Sequence, residues 1–270
     1  GKNLYVIENE FKKNILNYET RANSSKPINT VIYVGESTSA LNLSLYGYPF
    51  DTTPWLNSVS KSKNFIKFNR VYASHTHTVD ALWSAFSLCI NQPKEDCSLI
   101  HNHQKNNLSI VDVLNKTDTE TYLFSTQGSL GGHNHATKLV LNTKKQYFPW
   151  DLNEQNFDNS RKFLGNRFKP KIKDHEFFSN SFCERESIFK NDKSSLSILH
   201  SYAGHGQYGG YLYNIPEKFK FDYPKYINKK NFLGKDFRNI DLISEYDSAI
   251  KYIDRTIEQV FNCSNSNFEK

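Results

Sequence analysis

The sequence predicts an α/β fold with a mostly parallel central sheet and helices on both faces. Short runs of β-branched and apolar residues, such as residues 30–35 and 196–200, alternate with segments of helical periodicity. Strands that alternate with helices form parallel sheets, because each helix returns the chain across a face of the sheet to the next strand. Polar residues follow several of the apolar runs, at the sheet edge where α/β proteins bind ligands.

The elements lie in one predicted domain over residues 29–270, after a polar, helix-like lead-in over residues 1–28. The stretch from about residue 141 to 195 is rich in Lys, Asn and Phe with weak periodicity, which predicts irregular structure and short helices. In chain order, the predicted elements are a strand over 30–35, a helix over 55–59, a strand over 65–72, a helix over 78–88, a helix over 110–114, a strand over 121–125, a strand over 196–200 and a long helix over 240–261.

Three of the helices have specific sequence signals. Thr53 followed by Pro54 is a typical helix start, since threonine is a common N-cap and proline is favoured at the first helical position. The helix over 78–88 places Val79, Leu82, Trp83 and Phe86 on one side. The last helix is amphipathic, and its predicted core face consists of Ile243, Ile250, Ile253, Ile257 and Phe261.

The composition fits a globular protein with an aromatic core. Aromatic residues make up 14% of the chain, whereas Met is absent, and Gly1 is therefore interpreted as a processing boundary. The net charge is +6 without any nucleic-acid-binding motif, which argues against nucleic acid and leaves anionic lipid headgroups as a reasonable partner. No apolar run of transmembrane length and no signal peptide occur, so any anchor of the native protein is expected outside this chain.

The four cysteines leave two interpretations open. Cys89 and Cys97 flank a turn-forming Asn-Gln-Pro segment, and a disulfide between them is expected in an oxidising compartment. In a reducing compartment, all four cysteines, which include Cys183 and Cys263, would be inert buried thiols.

Three polar segments follow apolar runs and are expected to lie along one edge of the sheet: residues 35–38, 74–78 and 200–205. The first contains Glu36, which is either a loop carboxylate bonded to backbone amides or a hard oxygen ligand for a divalent metal ion such as zinc. The second ends at Thr78, which is either the N-cap of the following helix or a nucleophile that attacks phosphorus.

Histidines add a third group of candidates. Three His-x-His pairs, at 75/77, 101/103 and 133/135, resemble metal-binding spacing, but none lies in a clean strand. His205 stands between Gly204 and Gly206, where it could donate a hydrogen bond to a phosphate oxygen. Serine hydrolase and P-loop nucleotide-binding functions are disfavoured, since no GxSxG or GxxxxGK[ST] motif occurs.

Together these segments resemble the phosphoethanolamine transferases of Gram-negative bacteria, within the alkaline phosphatase–sulfatase superfamily. The resemblance extends from about residue 30 to 262, and its first motif is the most specific. The matching segments are Val34-Gly35-Glu36-Ser37-Thr38-Ser39 with Leu45-Tyr46-Gly47-Tyr48-Pro49 and Asp51-Thr52-Thr53-Pro54, the helix that begins at Thr78, Leu199-His200-Ser201-Tyr202-Ala203-Gly204-His205-Gly206, and Tyr246-Asp247-Ser248-Ala249-Ile250-Lys251-Tyr252-Ile253-Asp254.

The resemblance implies a role for each candidate residue. Glu36 and Thr78 would contact Zn²⁺, and Thr78 would be the nucleophile that carries phosphoethanolamine. His205 would contact the transferred phosphate, with Gln127 and His133 as further substrate-binding candidates.

The resemblance also implies a setting for the reaction. The donor would be phosphatidylethanolamine, and the acceptor would be lipid A or another envelope glycan. The domain would lie at the periplasmic face of the inner membrane, held by an N-terminal anchor, and Cys89–Cys97 would then be a disulfide.

Two departures from the family pattern qualify these roles. Thr76 is a rival to Thr78, because the segment reads Ser-His-Thr-His-Thr where relatives often have Cys-Gly-Thr-x-Thr. The family's Asp-His-Gly motif, which supplies further zinc ligands, does not occur. The catalytic domain over residues 29–270 is therefore expected to be incomplete at its C-terminus and inactive alone.

A phosphoglycerol transferase and a metal-free binding domain are the alternatives, whereas a sulfatase would need a CxPxR-like segment, which is absent.

Overall fold

The computed structural model describes residues 27–88, 108–127, 141–149, 173–189, 192–205 and 240–268. In this part of the chain, one sheet is formed in the strand order β1-β4-β2-β3. The strands are β1 (Asn29–Val34), β2 (Glu120–Ser125), β3 (Lys145–Tyr147) and β4 (Ser195–His200).

The pairing in this sheet is parallel. Strands β2 and β3 run parallel, with Leu123 opposite Gln146. The first residue of β4 donates its N–H to the carbonyl of Ile28, and Ser201 just after β4 donates to Val34 at the end of β1. Both ends of β4 therefore meet the matching ends of β1, as parallel strands do. The predicted fold class, a parallel central sheet with helices, is confirmed.

Of the six helices in the described residues, four are close to predicted ones, and the two short ones within residues 174–189 lie in the stretch where short helices are predicted without bounds. They are α1 (Pro54–Val59), α2 (Thr78–Phe86), α3 (Ile110–Leu114), α4 (Asp174–Phe178), α5 (Glu186–Phe189) and α6 (Ile240–Phe268), with 3₁₀ turns at Ala40–Asn42 and Ser44–Tyr46 and a π-helical turn at Ser179–Cys183.

One predicted strand is wrong. Residues 65–72 form no regular element, and Ile66 and Phe68 have exposed fractions of 75% and 68%. An apolar run becomes a strand only when a neighbouring strand pairs with its backbone. Here the carbonyl of Phe68 accepts a hydrogen bond from the hydroxyl of Tyr46 instead, at 2.9 Å.

Smaller differences concern β3 and α6. The three residues of β3 lack a periodic signal, so no local pattern predicts this strand. Helix α6 continues seven residues beyond the predicted end, to Phe268. Of its predicted core face, Ile250 and Ile253 are buried, whereas Phe261 is 46% exposed and packs its ring against Trp55 at 5.3 Å between centroids.

The chain divides into two compact units. The first comprises Gly1–Ile32, Val71–Leu152 and Ser187–Leu199, and the second comprises Tyr33–Arg70, Asn153–Glu186 and His200–Lys270.

In the first unit, α2 and β2 both contribute buried apolar side chains. Leu82, Trp83 and Phe86 of α2 are buried, as the helical periodicity predicts. Helix α3 begins with a capping box, in which Ser109 and Asp112 each bond the backbone N–H of the other.

In the second unit, α6 packs on the turns that follow β1 and β4. The cluster consists of Leu43, Ala203, Ala249, Ile250, Tyr252 and Ile253. Phe177, Phe178 and Phe182 are also fully buried, in agreement with the aromatic core that the composition predicts.

A disulfide joins Cys183 to Cys263 in this unit, with a Cα–Cα distance of 5.5 Å. The interpretation of four inert thiols is therefore wrong for this pair. Disulfides persist in oxidising compartments, so the bond favours a location outside the cytosol. The Cys89–Cys97 pair lies outside the described residues.

Asp254 of α6 caps helix α1. Thr53 stands at the N-cap position as predicted, but its side chain makes no capping hydrogen bond. The carboxylate of Asp254 accepts the N–H groups of Trp55 and Leu56 instead, at 2.9 and 3.0 Å. Asp254 is fully buried, and burial raises its pKa to about 6.

This shift predicts a specific pH dependence of stability. The folded protein holds the Asp254 proton up to about pH 6, whereas an unfolded aspartate loses it at about pH 3.9. The stabilisation that protonated Asp254 contributes to the folded state is therefore fully present below the unfolded pKa. It is lost as the pH rises through the folded pKa. We expect the free energy of unfolding to fall by about 2 kcal/mol between about pH 4 and pH 6 on this account.

Urea unfolding across this pH range, compared with Asp254→Asn, measures the effect. Asparagine does not titrate, so the variant is expected to lose this pH dependence of the free energy of unfolding. It also loses one of the two capping hydrogen bonds, because an amide has one acceptor oxygen. Parallel pH profiles for the two proteins would contradict the prediction.

Candidate active site

Glu36 occupies a constrained turn directly after β1. Ser37 has a φ of 48°, which is uncommon for a residue with a side chain, and its hydroxyl lies 3.3 Å from Oε1 of Glu36. The hydroxyl of Tyr246 in α6 donates to the carbonyl of Ser37 at 2.6 Å and accepts the N–H of Ser39 at 2.8 Å. One phenol thus fixes the backbone on the C-terminal side of Glu36.

Asp247, the next residue of α6, binds two side chains of the loop that follows the Glu36 turn. Its two carboxylate oxygens accept hydrogen bonds from the side-chain amide of Asn42 at 2.9 Å and from the hydroxyl of Tyr48 at 2.7 Å. Tyr246 and Asp247, in the last sequence motif, therefore hold the segment that contains the first sequence motif by hydrogen bonds.

His205 lies on the turn that follows β4, in the same unit. Its side chain is exposed, its N–H donates to the carbonyl of Tyr202 at 3.1 Å, and its ring stacks on the Tyr202 ring. The turn itself is bonded to Asp174, a buried residue of α4.

Gly204 brings this turn against the Glu36 turn. Its φ is +92°, and a Cβ at this position would overlap the carbonyl oxygen of Glu36. Only glycine permits both the conformation and the approach. The structure therefore places Glu36 and the backbone beside His205 next to each other, as the sequence analysis expects.

Substitution of Gly204 by alanine tests this close approach. Gly47 is a matched control, since its φ is +95° but a Cβ there would contact nothing within 4 Å. We expect Gly47→Ala to cost about 1 kcal/mol through its backbone conformation alone. Gly204→Ala should cost about 2 kcal/mol more, because the backbone must also shift.

Denaturant unfolding of the two variants gives the comparison. Equal losses of stability would show that the contact between Gly204 and Glu36 is not tight.

The electrostatics of this turn depend on burial. Burial lowers the pKa of His200 to about 4, although Glu36 opposes the shift. His200 is therefore neutral at physiological pH. Burial, and then Glu36, raise the pKa of Tyr202, so its phenol is protonated.

Thr78 is the first residue of α2, in the first unit. The N-cap position belongs to His77, so the interpretation of Thr78 as the N-cap is wrong. Thr78 is partly buried, and the first turn also contains the buried Asp80. Thr76, the rival nucleophile, is exposed outside the helix, with its hydroxyl 3.4 Å from Nδ1 of His77.

Gln127 also lies in the first unit, two residues after β2. It is partly buried, and its N–H donates to the hydroxyl of Ser125 at 3.2 Å. His133 lies outside the described residues.

The described residues do not by themselves fit a zinc ion. Within these ranges, no group of three or more His, Cys, Asp or Glu side chains is placed to hold a metal ion. A zinc site takes at least three protein ligands. The carboxylate of Glu36 has suitable chemistry for one of them, but it is a single ligand.

Sequence reasoning missed Asp174. It lies in the stretch where periodicity is weak, and its contacts are with residues 201–203. The available signal is an acidic residue three positions before the apolar pair Phe177 and Phe178, which is weak.

Within the described ranges, no helix combines the length and the apolar character needed to cross a bilayer.

The fold and the turns that carry Glu36 and His205 define an α/β protein with polar groups at the carboxyl ends of parallel strands. A family model described as Sulfatase matches residues 28–263. The chain therefore belongs to the sulfatase family.

Individual relatives are more specific. The phosphoethanolamine transferase EptC of Escherichia coli strain K12 is 25% identical over 256 residues, which are 90% of this chain and 38% of that protein. The chain thus spans less than two fifths of this curated relative.

Solved structures share the fold. The C-terminal periplasmic domain of EptC from Escherichia coli, in complex with zinc, has a TM-score of 0.67 at 20% identity, over 90% of this chain and 61% of that one. The soluble domain of lipooligosaccharide phosphoethanolamine transferase A from Neisseria meningitidis has a TM-score of 0.62 at 21% identity, over 90% and 64% of the two chains.

Proposed function

We propose that this chain belongs to the catalytic domain of a phosphoethanolamine transferase. The donor is phosphatidylethanolamine, and the acceptor is lipid A or another envelope glycan. The observation that carries the proposal is the position of Thr78 at the start of α2. The match to EptC at 25% identity supports the choice of transferred group.

In the first step, Oγ of Thr78 attacks the phosphorus of the donor phosphodiester. A bond forms between Oγ and phosphorus, the bond from phosphorus to the diacylglycerol oxygen breaks, and diacylglycerol leaves with a proton. The first N–H groups of a helix have no partner within the helix, and the helix dipole favours negative charge there. The start of α2 is therefore suited to hold the phosphoryl oxygens.

In the second step, an acceptor oxygen attacks the same phosphorus. The bond to Oγ breaks, and the acceptor proton passes to Oγ, so that Thr78 recovers its hydroxyl. The transferred group remains a phosphoethanolamine throughout, so no oxidant or further reactant is needed.

The other candidates act on the phosphate. His205, which is exposed, would donate a hydrogen bond to a phosphate oxygen, and Gln127 and His133 would line the site. Zinc enters the proposal as an ion contacted by Glu36 and Thr78, and the two steps above are derived without it. The zinc complex of the similar EptC periplasmic domain supports this choice of metal.

The proposed location is the periplasmic face of the inner membrane, reached through an N-terminal anchor. The disulfide between Cys183 and Cys263 supports an oxidising compartment. The net charge of +6 suits an anionic acceptor surface.

Intact mass spectrometry after incubation with phosphatidylethanolamine and zinc tests the proposal. We would examine the 270-residue chain and, where its gene encodes a longer protein, that longer form as well. A covalent phosphoethanolamine adduct in either form supports the function, and an adduct in the longer form alone would agree with the expectation that this chain is inactive by itself. A phosphoglycerol adduct from phosphatidylglycerol would indicate the alternative transferase. An adduct in neither form, with either donor, would overturn the proposal.

A further inference from the structure

Asp174 is a buried carboxylate that bonds the turn after β4. Its exposed fraction is 1%, and Oδ2 accepts hydrogen bonds from the Ser201 hydroxyl and from the N–H groups of Tyr202 and Ala203, the latter two at 3.1 Å. Consecutive backbone donors that converge on one oxygen restrict the φ and ψ angles between them. Asp174 therefore fixes the path of the chain after β4.

The carboxylate stands on a rigid base. Helix α4 is bonded to α6, because the N–H of His175 donates to the Tyr252 hydroxyl at 3.0 Å and Gln259 donates to the His175 carbonyl at 3.2 Å. The phenol of Tyr252 also lies 2.7 Å from Nδ1 of His175. Groups held on packed helices are placed more accurately than groups held on loops.

The fixed turn presents an aromatic face to His205. The ring centroids of Tyr202 and His205 are 4.9 Å apart, with an angle of 9° between the planes. The N–H of His205 also donates to the Tyr202 carbonyl, which closes the turn around Gly204. An exposed histidine otherwise samples several rotamers, and stacking on a fixed ring reduces that freedom.

We propose that Asp174 and Tyr202 are positioning residues that set the orientation of the His205 imidazole. Asp174 fixes the backbone of Tyr202, and the Tyr202 ring then fixes the plane of His205. The consequence for catalysis rests on the proposed function, in which His205 contacts the transferred phosphate.

Proton NMR of the histidine rings in the full chain tests the orientation without any activity assay. A ring stacked on tyrosine has its carbon-bound proton signals shifted upfield by the aromatic ring current. The variants are Tyr202→Phe, which keeps the ring, Tyr202→Leu, which removes it, and Asp174→Asn, which weakens the acceptor. His175, bonded to Tyr252, is the internal probe of correct folding.

We expect Tyr202→Phe to keep the upfield His205 signal and Tyr202→Leu to lose it. Asp174→Asn should move the His205 signal toward its position in Tyr202→Leu, while the His175 signal stays in place. If Asp174→Asn fails to fold, Ser201→Ala removes only the hydroxyl donor and should give a smaller shift in the same direction. A His205 signal that is unchanged in Tyr202→Leu, or in folded Asp174→Asn, would overturn the proposal.

Kinetics add a second measurement wherever the wild-type protein transfers phosphoethanolamine. Misplacement of a phosphate-binding group should lower kcat by about 10- to 100-fold in Tyr202→Leu and Asp174→Asn, with a smaller change in KM. Tyr202→Phe should restore the rate. Absence of transfer in the wild-type protein would count against the proposed function, whereas the NMR result would still decide the positioning role.

Discussion

Replacement of Thr78 by alanine is expected to abolish the covalent phosphoethanolamine adduct and to lower the rate of transfer by at least about 1,000-fold. The physical reason is that alanine has no oxygen to attack phosphorus. The fold should survive, because Thr78 is the first helical residue rather than the N-cap, and alanine has the highest helix propensity. Intact mass spectrometry and a transfer assay, in whichever form of the protein is active, make the measurement.

Thr76→Ala is the matched control. The two threonines differ by two positions, but Thr76 is exposed and lies before α2. Its variant should keep the adduct, and Thr78→Ser should keep a hydroxyl and part of the rate. Loss of the adduct in Thr76→Ala, with retention in Thr78→Ala, would reverse the assignment of the nucleophile.

Removal of the Cys183–Cys263 disulfide is expected to lower the free energy of unfolding by about 4 kcal/mol. The two cysteines are 80 residues apart in the sequence, so the bond strongly restricts the unfolded chain. It also ties the π-helical turn at Ser179–Cys183 to α6, close to the helix that carries Asp174. The turn after β4 should therefore loosen together with the global fold.

Denaturant unfolding of the double variant Cys183→Ser/Cys263→Ser measures this loss. Substitution is preferable to a reducing agent, since a reductant would act on every disulfide of the protein rather than on this one. Peptide mapping of the wild-type protein without reduction provides the control for bond formation. An unchanged unfolding midpoint in the double variant, with the bond present in the wild type, would contradict the expected effect.

Local sequence patterns were sufficient where an element is defined by its own residues. Strand β4 and helix α3 have continuous or periodic apolar content, and their predicted bounds agree with the structure to within one residue. Helix α1 starts at Pro54, as predicted from the preference of proline for the first helical position. Such signals act over a few residues, so they can be read without the rest of the fold.

The same patterns failed where a distant partner decides the outcome. Residues 65–72 have strand-like composition, but their backbone finds no paired strand in the described part of the chain. The cap of α1 comes from Asp254 rather than from Thr53, because the buried carboxylate reaches the helix start across the packed core. Neither result follows from residue preferences alone.

The sequence by itself determined the α/β class, most helices and strands, and the residue types gathered after the strands, including Glu36 and His205. Tertiary structure alone decided which groups hold them in place. Tyr246 bonds a residue 207 positions away, and Asp174 bonds residues 27 to 29 positions away. Such contacts depend on how packed helices bring distant side chains together, and no local pattern encodes that geometry.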